Sequence, residues 1–489
     1  MEGGKVIASG TYGCILNPAL PCKGETDRPK DTVSKLMLDY YAESEMDEIN
    51  KISKLTKSVP NHNNYYILDQ IKMCDPSKLN MEDLTDFQKK CGAMTRKNIS
   101  THNVNNPSVL RHLRILQLPD GGFDITHYFS EKKLSPALFV KINKALILLL
   151  QKGIVPLQSV NVLHQDIKAH NIVYSKKNDM AKLIDWGLAT TIKGNRIPSH
   201  IRDWPIQFNQ PFSNKVFDSF IQKLFFDMTK TLSFNLRLKA YFGDDLYSYL
   251  LPIVSKNIGD ATFANSKKIS EAFGGLGHIS YLELILKTVA KDDLADKTLV
   301  DNINASSFKV VGIIVSRQIA AALLAYSIKD NNLRVFKEKD YFNQVYRHNC
   351  DIYGFVSTYV EIIMNKSMPK SLRRKAFDIY SKYCLTTQFA YTRIDVNELS
   401  QDLADLNLDY SPAIKKQPVP QDALVFSWDE DKRCPKGSRR DKKTRKCVST
   451  KQAQRTGPAK QGSKNKTQRR RCPNGTRKNK TTGLCEEKK

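Results

Sequence analysis

The sequence predicts an α+β body, with strands gathered in its first 120 residues and helices filling the rest, followed by a basic, largely irregular tail. Three observations carry this. Short apolar segments bounded by Gly, Pro and Asp crowd the N-terminal part. From Ser135 onward apolar residues recur at three- and four-residue steps. Charge is uneven as well: residues 432–489 hold 22 Lys and Arg against three acids, a net +19 of the formal +27.

Residues 4–8 and 14–17 predict a strand pair around the turn Ser9-Gly10-Thr11-Tyr12-Gly13, and residues 32–37 a third strand. Met46, Ile49, Ile52 and Leu55 then place a helix. Residues 60–108, polar and rich in Asn, Lys and Asp, read as a loop-rich insertion. A further strand spans 113–118 and ends at Pro119-Asp120-Gly121-Gly122. Ser135 suits a helix cap and Pro136 its first turn, with Leu138, Ile142, Ala145, Leu146 and Leu149 as the buried face. A helix at 213–230 carries Phe217, Phe220, Leu224 and Met228 on one stripe, and 230–405 is mostly helical. Proline and an acidic patch mark 406–431 as a linker.

The polar opening Met1-Glu2-Gly3-Gly4-Lys5 has no secretory pattern. Val310 to Tyr326 is the most membrane-like stretch, but its 17 residues enclose Arg317 and Gln318, so a buried helix is expected. The expectation is a soluble intracellular protein with no membrane contact. Six scattered cysteines (Cys14, Cys22, Cys74, Cys91, Cys350, Cys384) show no metal-like spacing and fit that setting.

The tail contains a repeat. Arg433-Cys434-Pro435-Lys436-Gly437 recurs 38 residues later as Arg471-Cys472-Pro473-Asn474-Gly475, and each copy closes with a cysteine, Cys447 or Cys485. Three states stay open for these cysteines: two small disulfide loops, one zinc site, or free thiols on a disordered arm. Lys and Arg dominate and no aromatic follows Trp428, which favours electrostatic attachment to nucleic acid or acidic proteins over base stacking.

The chemistry lies in the run Leu163-His164-Gln165-Asp166-Ile167-Lys168-Ala169-His170-Asn171, followed 14 residues later by Asp185-Trp186-Gly187. It sets one proton acceptor, one cation and two oxygen donors for a metal in fixed order. Together with Ala8-Ser9-Gly10-Thr11-Tyr12-Gly13 and Val33-Ser34-Lys35 it resembles the catalytic core of eukaryotic-type serine/threonine protein kinases. The resemblance covers roughly residues 5–230 and implies a two-lobed protein kinase-like fold, with a small β-rich lobe, a large helical lobe and the extra helical region at about 230–405. It implies ATP and Mg²⁺ as cofactors and protein Ser/Thr hydroxyls as substrate. Asp166 would accept the hydroxyl proton and Lys168 would neutralise charge on the transferred group. Asn171 and Asp185 would hold Mg²⁺. Ile7, Ala8, Ser9, Gly10, Thr11, Tyr12, Gly13, Cys14 and Ile15 would cradle the nucleotide, and Lys35 would grip its phosphates. Glu48 is expected to orient Lys35, with Glu45 one turn earlier as competitor. His164 is expected to be structural.

Three residues depart from the family pattern: Ala8 for its first glycine, Gln165 for an Arg that pairs with a phosphorylated activation loop, and Trp186 for Phe. They sustain an alternative, a nucleotide-binding scaffold without catalysis. Lys168 speaks for Ser/Thr over Tyr and against a small-molecule kinase. The Q-F-N-x-P-F-S element at Gln207, the H-Q-D variant and the C-P-x-G repeats are similar to serine/threonine kinases of nucleocytoplasmic large DNA viruses, such as iridescent and giant viruses. That likeness implies action in the host cytoplasm and allows packaging into the virion.

Overall fold

The computed structural model describes residues 4–132, 134–202, 204–231, 246–328 and 335–410, and four short tail strands within 438–487. The protein is mixed α+β, β-rich at its N-terminus and helical beyond. Residues Met1–Trp428 form one compact unit and Asp429–Lys489 a second. The predicted linker start at 406 falls inside a helix, Val396–Asp409, whose buried Leu399, Leu403 and Leu406 anchor it to the first unit.

Five antiparallel strands form the N-terminal sheet in the order β1 (Lys5–Ser9), β2 (Gly13–Asn17), β3 (Thr32–Leu38), β5 (Leu113–Pro119), β4 (Lys72–Cys74). Alternation divides its residues between two faces. Ile15 pairs with Lys35 and Lys35 with Leu116, so these three share one face. Cys14, Leu36 and Ile115 share the other, where they bury against Leu79, Phe87, Cys91 and Met94. Gly13 is needed here, because a Cβ would sit 2.8 Å from the Leu36 carbonyl. The helix Asp39–Thr56 follows β3 and buries Ile49 and Ile52. Leu55, expected on that face, is 38% exposed.

The segment 60–108 is more ordered than its composition suggests. Beyond β4 it supplies four one-turn helices, and Asn80 and Asp83 close a capping box on the first of them. It is also covalently tied to the sheet: Cys14 bonds Cys91 and Cys22 bonds Cys74, which leaves Cys350 and Cys384 as buried free thiols. The expected set of six unpaired body cysteines is therefore corrected. No spacing rule connects residues 77 and 52 apart; the fold of the insertion brings them together. Loops of that length correspond to about 3–5 kcal/mol each in the chain-entropy limit.

In the C-terminal part, the helix Pro136–Leu149 starts as expected, with Ser135 Oγ accepting from the Leu138 amide at 3.3 Å. The helix predicted at 213–230 is instead a 3₁₀ segment, Phe212–Phe217, followed by the helix Ser219–Thr231. The break rotates the stripe, so Ile221 and Phe225 are buried and Phe220 is exposed. The stretch from Val310 to Tyr326 lies in the helix Lys297–Ile328. By length and composition that helix could cross a membrane, but 72% of its most apolar window is buried within the protein. Its polar Gln318 is satisfied there, donating to the Cys384 carbonyl at 2.6 Å.

The tail is not wholly irregular. Strand Ser438–Arg440 pairs with Cys447–Ser449, and Thr476–Lys478 with Cys485–Glu487, so each repeat copy forms one antiparallel hairpin. Cys434 and Cys472 lie outside the described residues.

Candidate active site

After β6 (Phe123–Asp124), the run His164 to Asn171 connects β7 (Val162–Leu163) to β8 (Ile172–Ser175), and Asp185 follows β9 (Met180–Leu183). The β8–β9 pairing sets Ile172 opposite Leu183, and the Ile184 amide donates to the Asn171 carbonyl at 3.0 Å. This hairpin carries the Asn171 and Asp185 loops to the same end.

A buried carboxylate holds the loop in shape. Asp351, in the helix Arg347–Ser357, accepts from the backbone N–H groups of His164 (2.8 Å) and Gln165 (2.9 Å). Gln165 thereby keeps a left-handed φ of 62°, a conformation that costs a non-glycine residue about 1–3 kcal/mol and persists only where the surroundings enforce it. Asp185 shares that φ of 62°. His164 is fully buried, with Nε2 at 3.1 Å from the Ile184 carbonyl and its ring 4.7 Å from that of Trp186. It ties the two loops together, as expected of a structural residue. Gly354 of the same helix must be glycine, since a Cβ there would lie 2.6 Å from the Ile167 carbonyl.

Asp166 is held from three sides. Lys168 Nζ donates to both its oxygens at 2.9 and 2.8 Å. Asn171 Nδ2 donates to its Oδ2 at 2.9 Å and its carbonyl at 2.8 Å. Asn209 Nδ2 donates to its Oδ1 at 3.0 Å. Gln210 adds a bond from Nε2 to the Gln165 carbonyl. A carboxylate fixed by three donors presents its remaining lone pairs in one direction, which suits a positioned proton acceptor.

Across the cleft, Lys35 Nζ contacts Glu45 at 2.7 and 2.8 Å and Asp185 Oδ1 at 3.4 Å. Burial works against the Lys35 ammonium, yet the carboxylates of Asp185 and Glu45 outweigh it and hold its pKa above the ordinary lysine value. Lys35 in turn draws the Asp185 carboxyl below the usual carboxylate range against the partial desolvation that the cleft walls impose, with His164 and Lys168 adding to the pull. That coupling joins the two halves of the residue set in one electrostatic cluster.

The expected partner of Lys35 is corrected. Glu48 pairs with Lys51 on the helix surface at 3.1 Å, and Glu45 makes the buried contact. On the phosphoryl-transfer reading proposed below, replacing Glu45 by Gln should lower kcat/KM for nucleotide at least about tenfold, since the lysine loses its orienting charge. Glu48→Gln should stay within about twofold, as exposed pairs contribute little. Side-by-side kinetics on the two variants checks the assignment.

The Ser9 to Gly13 turn closes on itself through Gly10 N donating to the Gly13 carbonyl at 2.9 Å. Ile7, Ala8, Ser9, Gly10, Thr11 and Tyr12 are exposed there and Ile15 faces the Lys35 side. Cys14 does not belong with them, because its sulfur points to the opposite face and is bonded to Cys91. The insertion grips the turn from outside. Arg96 donates to the carbonyls of Gly10 (3.2 Å) and Thr11 (3.3 Å), and the Ala93 amide donates to Ser9 Oγ at 3.2 Å.

Asp185, exposed to the cleft, and the Asn171 side-chain oxygen, whose amide nitrogen is committed to Asp166, are the oxygen donors that a metal would meet. Among the described residues no group of three or more His, Cys, Asp or Glu could hold a metal by itself. Asn209, Gln210 and Asp351 are the site residues that sequence reasoning missed, whereas Glu45 stood there as the competitor of Glu48; for Asn209 and Gln210 the odd element Gln207 to Ser213 was the available signal. No model of a known protein family matches the chain, and no curated protein matches it either.

Proposed function

We propose that this chain is an ATP-dependent serine/threonine protein kinase with a two-lobed kinase-like fold, the β-rich region forming the small lobe. The reading is carried by one observation. Lys35, Asp166, Lys168, Asn171 and Asp185, spread over 150 residues, converge on one cleft, with Lys35 at 3.4 Å from Asp185 and Asn171 at 2.9 Å from Asp166. Phosphoryl transfer needs positioning and charge compensation above all, and this set supplies both.

In this reading Lys35, kept charged and aimed by Glu45, holds the nucleotide phosphates, and the turn from Ser9 to Gly13 offers backbone N–H groups to them. Asp166 takes the hydroxyl proton, and Lys168 spreads the charge that builds on the moving group. Asn171 and Asp185 fit Mg²⁺, which favours a few oxygen ligands shared with phosphates over an all-protein cage. When bound, the ion would neutralise charge on the phosphate oxygens. The position where the family has Arg is filled by a neutral pair, Gln165 Oε1 with His200 Nε2 at 2.8 Å. Burial pushes the His200 pKa down, so this pair offers no cation to a phosphorylated loop.

The test is a radiolabelled-ATP assay of the full chain with mixed protein substrates. Label on Ser or Thr is the expected result. ATP binding without any transfer would overturn the reading in favour of a nucleotide-binding scaffold.

The tail is proposed as a polyanion-binding arm on the strength of its 22 cationic residues in 58. The full chain should lose about 10³-fold in affinity for duplex DNA between roughly 50 and 200 mM salt. Removal of 432–489 should flatten that dependence and leave transfer to a small peptide intact. Unchanged DNA affinity after truncation would rule the role out.

A further inference from the structure

Next to Asp166 the protein has a cleft of about 370 Å³ that the phosphoryl-transfer residues do not fill. Lys168 and His170 form one side of it. The opposite wall comes from the helix Gly277–Lys291, which contributes His278 and Tyr281. This helix belongs to the long segment between the cleft loops and Asp351 for which the kinase resemblance offers no role. Phe208 packs on that helix wall, stacked on His278 with ring centroids 5.7 Å apart and edge-on to Tyr281 at 4.7 Å. Glu361, on the helix Val360–Met364, supplies the carboxylate of the cleft.

Among the described residues nothing pairs with the Glu361 side chain, although it is half-buried. Burial, with the negative charge of Asp124 adding to it, pushes its carboxyl up to about 7. A carboxylate left unpaired in a partly desolvated cleft is costly, and an incoming cation would relieve that cost. Lys168 does not serve, because both of its short contacts go to Asp166.

We propose that this cleft receives an arginine side chain of the protein substrate, with the guanidinium against Glu361 and the rings of Phe208 and Tyr281. Arginine fits better than lysine for two reasons. Its planar guanidinium stacks on aromatic faces, and it meets a carboxylate through two parallel N–H donors, whereas an ammonium is a strongly hydrated point charge. The assignment rests on the kinase reading, since a peptide lies here only if its hydroxyl is presented to Asp166. It gives the helical segment a task, that of selecting basic substrates.

The test uses the full chain and a set of serine peptides built on an alanine-glycine background. One arginine is placed in turn at each position from five before to four after the serine, and each peptide has a citrulline twin that keeps the shape and loses the charge. Transfer and peptide binding by fluorescence anisotropy are both measured. At one position arginine should exceed citrulline by about tenfold or more in kcat/KM and in affinity, with lysine between them. In Glu361→Gln that ratio should fall to about two or less, and Glu361→Lys should favour a glutamate at the same position. Should these variants fail to fold, Tyr281→Ser, on the cleft wall, should cut the ratio at least about threefold. Transfer with a ratio near one at every position, or a ratio that survives Glu361→Gln, overturns the pocket and leaves the kinase reading standing. Arginine-selective binding without any transfer retains the pocket and overturns the kinase reading instead. Neither selective binding nor transfer overturns both.

Discussion

Replacing Asp166 by Asn should, on the proposed kinase reading, lower kcat for phosphoryl transfer by about 10²–10⁴-fold, the range that a positioned proton acceptor contributes. Asparagine keeps the shape and can still accept from Lys168, Asn171 or Asn209, but it cannot take a proton. Nucleotide affinity should change only severalfold, because the short contacts among Lys35, Glu45 and Asp185 do not involve Asp166. The combination is diagnostic: lost turnover with kept binding marks a group that acts on the reacting hydroxyl. Single-turnover kinetics with an ATP-binding titration gives both numbers. Turnover within fivefold of the unmodified protein would remove Asp166 from the chemistry.

The second large effect concerns stability. Asp351 is fully committed to two buried backbone donors, at 2.8 and 2.9 Å, and is 2% exposed. In Asp351→Asn one of those oxygens becomes an N–H group that meets the Gln165 or His164 amide head-on. A buried donor left without an acceptor costs about 1–3 kcal/mol, and more where it replaces a charged acceptor. A loss of about 2–5 kcal/mol is expected, which in a protein of this size lowers Tm by about 2–6 °C. Activity should fall with it, because Gln165 needs that anchor to hold its left-handed backbone and to leave Asp166 in place. Calorimetry on the variant checks the first part. An unchanged Tm would mean that the loop holds its shape without the anchor.

The residues legible in the sequence are those whose partners are near neighbours in the chain. Asp166, Lys168 and Asn171 contact one another within five residues, so their spacing already contains their geometry. Strands β1 and β2 were visible for the same reason, since a short turn connects them, and alternation marks the faces of β3 as well. Lys35 was singled out by the likeness of Val33-Ser34-Lys35 to the family's strand motif, and the sheet register sets it on one face with Ile15 and Leu116. The choice between Glu45 and Glu48 was of another kind. Residues three apart on a helix differ by about 60° around its axis, so a small roll of the helix Asp39–Thr56 against the sheet decides which carboxylate meets Lys35. Periodicity reports that a helix has a buried face and leaves its roll open.

By itself, then, the sequence determined the α+β composition, the order of the chemistry-bearing residues, and the repeat that becomes two tail hairpins. Only the tertiary structure decided Glu45 over Glu48, the bonding of Cys14 to Cys91, the clamp of Asn209 on Asp166, and the anchoring of the loop by Asp351. The physical reason is common to all four. Backbone preference and local hydrogen bonds act over a few residues and leave a readable pattern. Contacts between groups 10 to 187 residues apart depend on how whole elements roll and pack, and that is set by the burial of the entire core.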